Sequence, residues 1–134
     1  MLRWNASDFE TTKLLAKGAF GEVYLAKHTP SGRNFAMKLL KKAEMIRQSE
    51  TAFFMEEKEI MVLARDSKWL VSIHSAFQDE ENLYLIMDFI PGGDLMSLLC
   101  NQDGGIFTED AAKFYAAEIL LAIEDLHKMN FVHR

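Results

Sequence analysis

Three short stretches of this 134-residue chain hold residues that could handle a phosphate ester. The first is Ala16-Lys17-Gly18-Ala19-Phe20-Gly21-Glu22-Val23. Its small residues let backbone N–H groups approach phosphate oxygens, and Gly18 and Gly21 reach dihedrals that other residues avoid. Alone, two glycines in a hairpin describe a tight turn far more often than a ligand loop. The second is Lys38, within Asn34-Phe35-Ala36-Met37-Lys38-Leu39-Leu40. Period-two alternation places Ala36 and Lys38 on one face and Phe35, Met37 and Leu39 on the other, and small Ala36 leaves room for a flat ring beside it. A solvated lysine on an edge strand would read the same way. The third is Glu57. At about 100° per residue it is centred on a helical stripe of Phe53, Phe54, Ile60, Met61 and Ala64, while Glu56 and Glu59 point elsewhere. A carboxylate facing a core is costly unless paired, and Lys38 is the obvious partner. Such a pair would fix the ammonium for a ligand phosphate.

The elements that must position these groups follow from the pattern. Phe9 to Leu15, Val23 to His28 and Asn34 to Leu40 are β-prone runs, the last two joined by the turn residues Thr29-Pro30-Ser31-Gly32, and they predict an antiparallel meander. Glu50 to Ala64 has helical periodicity, after which Val71 to Phe77 and Leu83 to Phe89 add two strands around Gln78-Asp79-Glu80-Glu81-Asn82. Pro91-Gly92-Gly93 breaks the chain. Asp94 caps a short helix to Cys100, and Thr108 caps a long one, Glu109 to Lys128, whose first turn is acidic. From Ala111 to Leu126 nearly every face of that helix is apolar, which predicts burial.

Composition excludes several classes. The hydrophobic content of 49% suffices for a packed core, and a net charge of -5 lacks the clustered cations that nonspecific nucleic-acid binding requires. Cys100 is the single cysteine, so no internal disulfide forms, and no His/Cys group has metal-ligand spacing; the default setting is reducing and cytoplasmic. The longest apolar runs, Leu83 to Met87 and Ile119 to Ile123, are far too short for a transmembrane segment, and the start of the chain lacks the apolar run of a secretory signal. A dinucleotide-binding reading of the glycine loop fails because a strand rather than a helix follows it, and a Walker loop fails for want of Gly-Lys-Ser/Thr.

Taken together, the glycine loop, the Ala36-Met37-Lys38 strand, Glu57, the run Leu83 to Pro91 and the closing Phe131-Val132-His133-Arg134 resemble the protein kinase family in order and spacing. The resemblance covers residues 8 to 134. Pro91-Gly92-Gly93-Asp94-Leu95 is similar to the cyclic-nucleotide and Rho-effector (AGC-type) group of serine/threonine kinases. Ala52-Phe53-Phe54-Met55-Glu56-Glu57 and Ala76-Phe77-Gln78-Asp79 are most similar to the Rho-associated, myotonic-dystrophy and citron kinases.

The fold implied is α+β: a kinase-like N-lobe over 8–87, with a five-stranded antiparallel sheet and a regulatory helix, a hinge over 88–94, and the first helices of the C-lobe over 95–134. The resemblance makes Leu15 and Val23 the lid over adenine, and makes the loop Ala16, Lys17, Gly18, Ala19, Phe20 and Gly21 the phosphate cradle. Lys38 would bind the α- and β-phosphates of ATP, steadied by Glu57, with Ala36 beside the ring. Met87 would be the gatekeeper, the Asp88 carbonyl and Ile90 N–H would bond the adenine edge, and Asp94 would lie near the ribose. Ala16 stands where the family usually has glycine, which is expected to cost about 1 kcal/mol if positive φ is needed there. His133 and Arg134 would begin the catalytic loop as scaffold, with the catalytic Asp and the Mg²⁺ ligands expected beyond residue 134. Residues 1–134 alone are therefore expected not to transfer phosphate. Partners implied are ATP, a protein substrate the sequence does not name and, through regions not present, a Rho-type small GTPase or a coiled-coil dimer partner. An active serine/threonine kinase cut short is the reading favoured by an end inside a motif. A truncated or pseudokinase-like binding module without catalysis, and an unrelated α+β interaction domain, are the alternatives.

Overall fold

The computed structural model describes residues 4–18, 21–47 and 51–133, and of 51–53 the backbone only. Two compact units divide them: residues up to Asp66 with Val71–Phe89, and Ser67–Leu70 with Ile90 onward.

The first unit is built on a five-stranded antiparallel sheet in the order β1-β2-β3-β5-β4. Its strands are β1 Phe9–Lys17, β2 Gly21–His28, β3 Asn34–Lys41, β4 Ile73–Gln78 and β5 Asn82–Met87. Helices α1 Lys42–Arg47 and α2 Thr51–Leu63 lie between β3 and β4 in the chain. Alternation along the strands sends apolar side chains to both faces. On one, Ala26, Phe35, Met37, Tyr84 and Ile86 form a buried cluster with Trp4, Phe9, Leu39 and Phe77 packed against it. On the other, Leu40, Ile73 and Leu85 bury against Met45 of α1 and Met61 of α2, with Phe54, Leu83 and Met87 alongside. The β4–β5 turn is closed by Asp79, whose carboxylate accepts from the N–H groups of Glu81 and Asn82 at 2.9 and 2.7 Å and from the Tyr84 hydroxyl at 2.7 Å. The Tyr84 hydroxyl, then the Asn82 N–H, hold the Asp79 carboxyl below the usual carboxylate range.

The second unit contains α3 Leu95–Cys100 and α4 Glu109–Lys128. Asp94 and Thr108 cap them, accepting from the N–H groups of Ser97 and Ala111. Segment 67–70 is tied to α4 by Ser67 Oγ donating to Asp125 Oδ2 at 2.7 Å. Beyond α4 the chain turns through Asn130 at φ 64°, the left-handed conformation that ends many helices.

Several boundaries differ from those expected. β1 runs on to Lys17 because pairing with β2 continues to Lys17 opposite Glu22. β4 begins at Ile73 rather than Val71, and β5 stops at Met87 rather than Phe89, because the Ile73–Met87 pair is where that ladder ends. The helix expected over Glu50 to Ala64 runs Thr51–Leu63 and tightens to a 3₁₀ turn over Ala64–Asp66; Glu50 lies outside the described residues. Helix α1 was not foreseen, being too short to show a full period. The main correction concerns α4. Among its described residues Leu126 alone is buried, while Phe114 and Leu120 are 58% and 66% exposed. Periodicity reports that a helix is apolar all round, not that the neighbours needed to cover every face are present.

That bare apolar surface yields an expected outcome. Covering roughly 400 Å² of it is worth about 10 kcal/mol, so the purified 134-residue chain should associate. Size-exclusion chromatography over a concentration series should show species larger than a monomer; a concentration-independent monomer would contradict this.

Candidate nucleotide site

The register of β3 collects the expected site residues of the first unit on one sheet face. Lys38 is opposite Val23 on β2 and Leu85 on β5, and Ala36 is opposite Leu25 and Met87. Directly opposed residues project to the same side, so Val23, Ala36, Lys38 and Met87 share a surface while Phe35 and Met37 go to the other cluster. Ala36 is buried, Val23 and Met87 partly so.

Glu57 reaches this face from α2. Phe54, Glu57, Met61 and Ala64 fall at three- and four-residue spacings along one side of the helix. Met61 and Ala64 are buried, so the C-terminal end of the stripe anchors the helix. The side chain of Phe53 lies outside the described residues. Lys38 Nζ donates to both oxygens of Glu57, at 2.6 and 2.7 Å. The pair is not sealed: the side chains of Lys38 and Glu57 are 26% and 45% exposed. The expectation of a core-facing carboxylate is therefore corrected to one on the stripe that solvent reaches, because burial concentrates at Met61 and Ala64. A pair this open contributes at most about 1 kcal/mol. Its consequence is geometric: two donors of the ammonium go to Glu57, and among the described residues no other partner of Lys38 is seen.

The loop between β1 and β2 is closed by Gly18 N–H donating to the Gly21 carbonyl at 2.8 Å; Ala19 and Phe20 lie outside the described residues. Gly21 has a structural reason of its own. A Cβ there would overlap the backbone carbonyl of Leu39, whereas one on Gly18 would meet nothing closer than 3.7 Å. Ala16 is an ordinary strand residue opposite Val23, and among the described residues Asn130 is the non-glycine with positive φ. The strain expected at Ala16 does not arise. Leu15 lies at a register shift of β1 and is exposed. Lys17 pairs with Glu22 at 3.2 Å. The Tyr24 hydroxyl, donating at 2.5 Å, and then Lys17 hold Glu22 below the usual carboxylate range.

Past Met87, both carboxylate oxygens of Asp88 are held from the β4 end of the sheet, by His74 and Ser72. Neither was foreseen; an unremarkable His and Ser near a strand start give no periodic signal, and only the fold brings them to Asp88. In the second unit Ile90 is exposed and opens a turn in which Gly93, at φ 78°, donates its N–H to the Ile90 carbonyl at 3.5 Å. Asp94 accepts from Ser97 N–H at 2.7 Å and Ser97 Oγ at 3.0 Å, bonds that hold its carboxyl below the usual range. It is a helix cap with lone pairs to spare. His133 lines a depression with Leu70, Ile119 and Leu126; Arg134 lies outside the described residues.

Comparison with known proteins is consistent with this arrangement. A family model described as the protein kinase domain matches residues 9–134. The chain is 47% identical over 133 residues to Rho-associated protein kinase 1 of Homo sapiens, covering 99% of this chain and 10% of that protein. It is 48% identical over 133 residues to serine/threonine-protein kinase MRCK gamma of Mus musculus, covering 99% and 8%. Serine/threonine-protein kinase MRCK alpha of Homo sapiens is 45% identical over the same length, again at 99% and 8%. The chain thus spans a tenth or less of the length of these curated relatives.

Two outcomes follow from the geometry. A double-mutant cycle of Lys38→Met and Glu57→Gln, read by thermal or denaturant unfolding, should give a coupling of about 1 kcal/mol or less; a coupling above about 3 kcal/mol would mean a buried pair. Gly21→Ala should lower stability by about 3 kcal/mol or more through overpacking against β3, and Gly18→Ala by less than about 1 kcal/mol. Equal melting temperatures for the two would contradict the close approach at Gly21.

Proposed function

Because the chain belongs to the protein kinase family, we propose that it forms the ATP-holding part of a protein serine/threonine kinase whose remaining catalytic groups lie beyond residue 134. The observation that carries this reading is Lys38 held at 2.6 and 2.7 Å by Glu57 on the face that also carries Val23, Ala36 and Met87. The names of the relatives support the acceptor class, two of them being serine/threonine-protein kinases.

In this reading residues 8–87 are the N-lobe, 88–94 the hinge and 95–134 the start of the C-lobe. The adenine ring lies under Leu15 and Val23 and beside Ala36, with Met87 limiting the depth of its pocket. By family resemblance the Asp88 carbonyl is assigned to the adenine amine, the Ile90 N–H to the ring and Asp94 to the ribose. Backbone from Ala16 through Gly21, including Lys17, Ala19 and Phe20, cradles the phosphates. The free donor of Lys38 meets the α- and β-phosphates, and Glu57 keeps the ammonium from turning away. His133 and Arg134 serve as scaffold for the catalytic loop. Mg²⁺ would neutralise phosphate charge, and its protein ligands are assigned beyond residue 134. Among the described residues no three His, Cys, Asp or Glu side chains gather as a metal cage, so no step is assigned to the ion here. Residues 1–134 alone would bind and orient without completing transfer.

The name Rho-associated protein kinase 1 favours a Rho-type GTPase as one partner of the longer protein, with a coiled-coil partner as the companion suggestion. A cytoplasmic setting fits; among the described residues no helix is long and apolar enough to cross a membrane.

In the intact gene product, Lys38→Met should lower kcat by about a hundredfold or more while shifting the melting temperature little. Near-normal turnover of ATP with a protein acceptor would overturn the assignment.

A further inference from the structure

In the ladder between β4 and β5, Ile73 faces Met87 and Ser75 faces Ile86, so His74 is the extra residue of a β-bulge. A bulge re-aims the side chain it carries. The His74 ring is set edge-on to Phe35, centroids 5.1 Å apart, and its Nε2 lies 2.6 Å from Asp88 Oδ1. Ser72 Oγ donates to Asp88 Oδ2 at 3.2 Å. Facing a carboxylate, a group that accepts, Nε2 is assigned as the donor of this contact. Both oxygens of Asp88 are thereby held, by Ser72 just before β4 and by His74 within it, at the residue where the chain leaves β5. The His74 and Asp88 side chains are 27% and 45% exposed, so the contact adds little to stability. What it restricts is the side-chain torsions of residue 88.

We propose that His74, assisted by Ser72, is a positioning residue of the adenine subsite, clasping the Asp88 carboxylate so that the Asp88 carbonyl is presented to the 6-amino group of the base. This rests on the reading of Asp88 given above. A fixed carbonyl also discriminates: adenine offers it a donor, whereas guanine would oppose it with a 6-oxo acceptor. The clasp thus sharpens selection of ATP over GTP.

The test uses the intact gene product and measures Kd for ATP and for GTP by competition, together with melting temperature. His74→Phe keeps a ring against Phe35 and removes the N–H; His74→Gln restores a donor at about the same reach; Ser72→Ala removes only the assisting hydroxyl and serves if His74→Phe does not fold. His74→Phe should weaken ATP about three- to tenfold, leave GTP nearly unchanged, and so erode the ATP preference by the same factor. His74→Gln should recover most of it, and Ser72→Ala should show a smaller loss of the same kind. Unchanged ATP preference in His74→Phe and Ser72→Ala, or equal weakening of ATP and GTP, would overturn the proposal while leaving ATP binding by the parent intact. Absence of saturable ATP binding by the parent would instead overturn the reading of the site, and the inference with it.

Discussion

Everything proposed for this chain depends on how β3 is held. It pairs on one side with β2, from Gly21 opposite Leu40 to Lys27 opposite Asn34, and on the other with β5, from Ala36 opposite Met87 to Lys41 opposite Asn82. A strand with a neighbour on each edge has its register set twice. A slip of one residue would turn Lys38 into the cluster of Phe35 and Met37 and bring those side chains out where Ala36 and Lys38 belong. An unpaired ammonium among aromatic rings is expensive enough to exclude that arrangement. The glycine at position 21 belongs to the same constraint, since it admits the backbone of Leu39 where any side chain would hold β2 away.

On this frame, stability and orientation come from different contacts. The two apolar clusters, one around Phe35 and Ile86 and one around Ile73 and Leu85, hold the sheet and α2 together. The polar contacts at the site, Lys38 with Glu57 and Asp88 with His74, are open to solvent and weak by comparison. Their work is to fix where a charge or a carbonyl points. A site organised this way tolerates loss of its polar members in folding while losing precision in binding.

The sequence made much of this legible. Alternation along Asn34–Lys41 assigned Ala36 and Lys38 to one face, helical spacing singled out Glu57 from Glu56 and Glu59, and both caps, Asp94 and Thr108, were readable from residue type and position. What could not be read arises from contacts between distant segments. His74 and Ser72 meet Asp88 across a bulge, and bulges have no period. The exposure of Glu57 depends on where along α2 the packing is concentrated, which spacing does not encode. Gly21 was singled out for its dihedral freedom, yet the structure's demand is for space.

The central claim is that one face of this sheet, with Lys38 at its centre, receives ATP. Amide hydrogen exchange of the intact gene product with and without Mg-ATP tests it most directly. The account predicts slowed exchange confined to the glycine loop at 16–23, the strand around Lys38 and residues 87–90, with the aromatic cluster around Phe35 and Ile86 unchanged. Slowing confined to other surfaces, or none at saturating nucleotide, would contradict it.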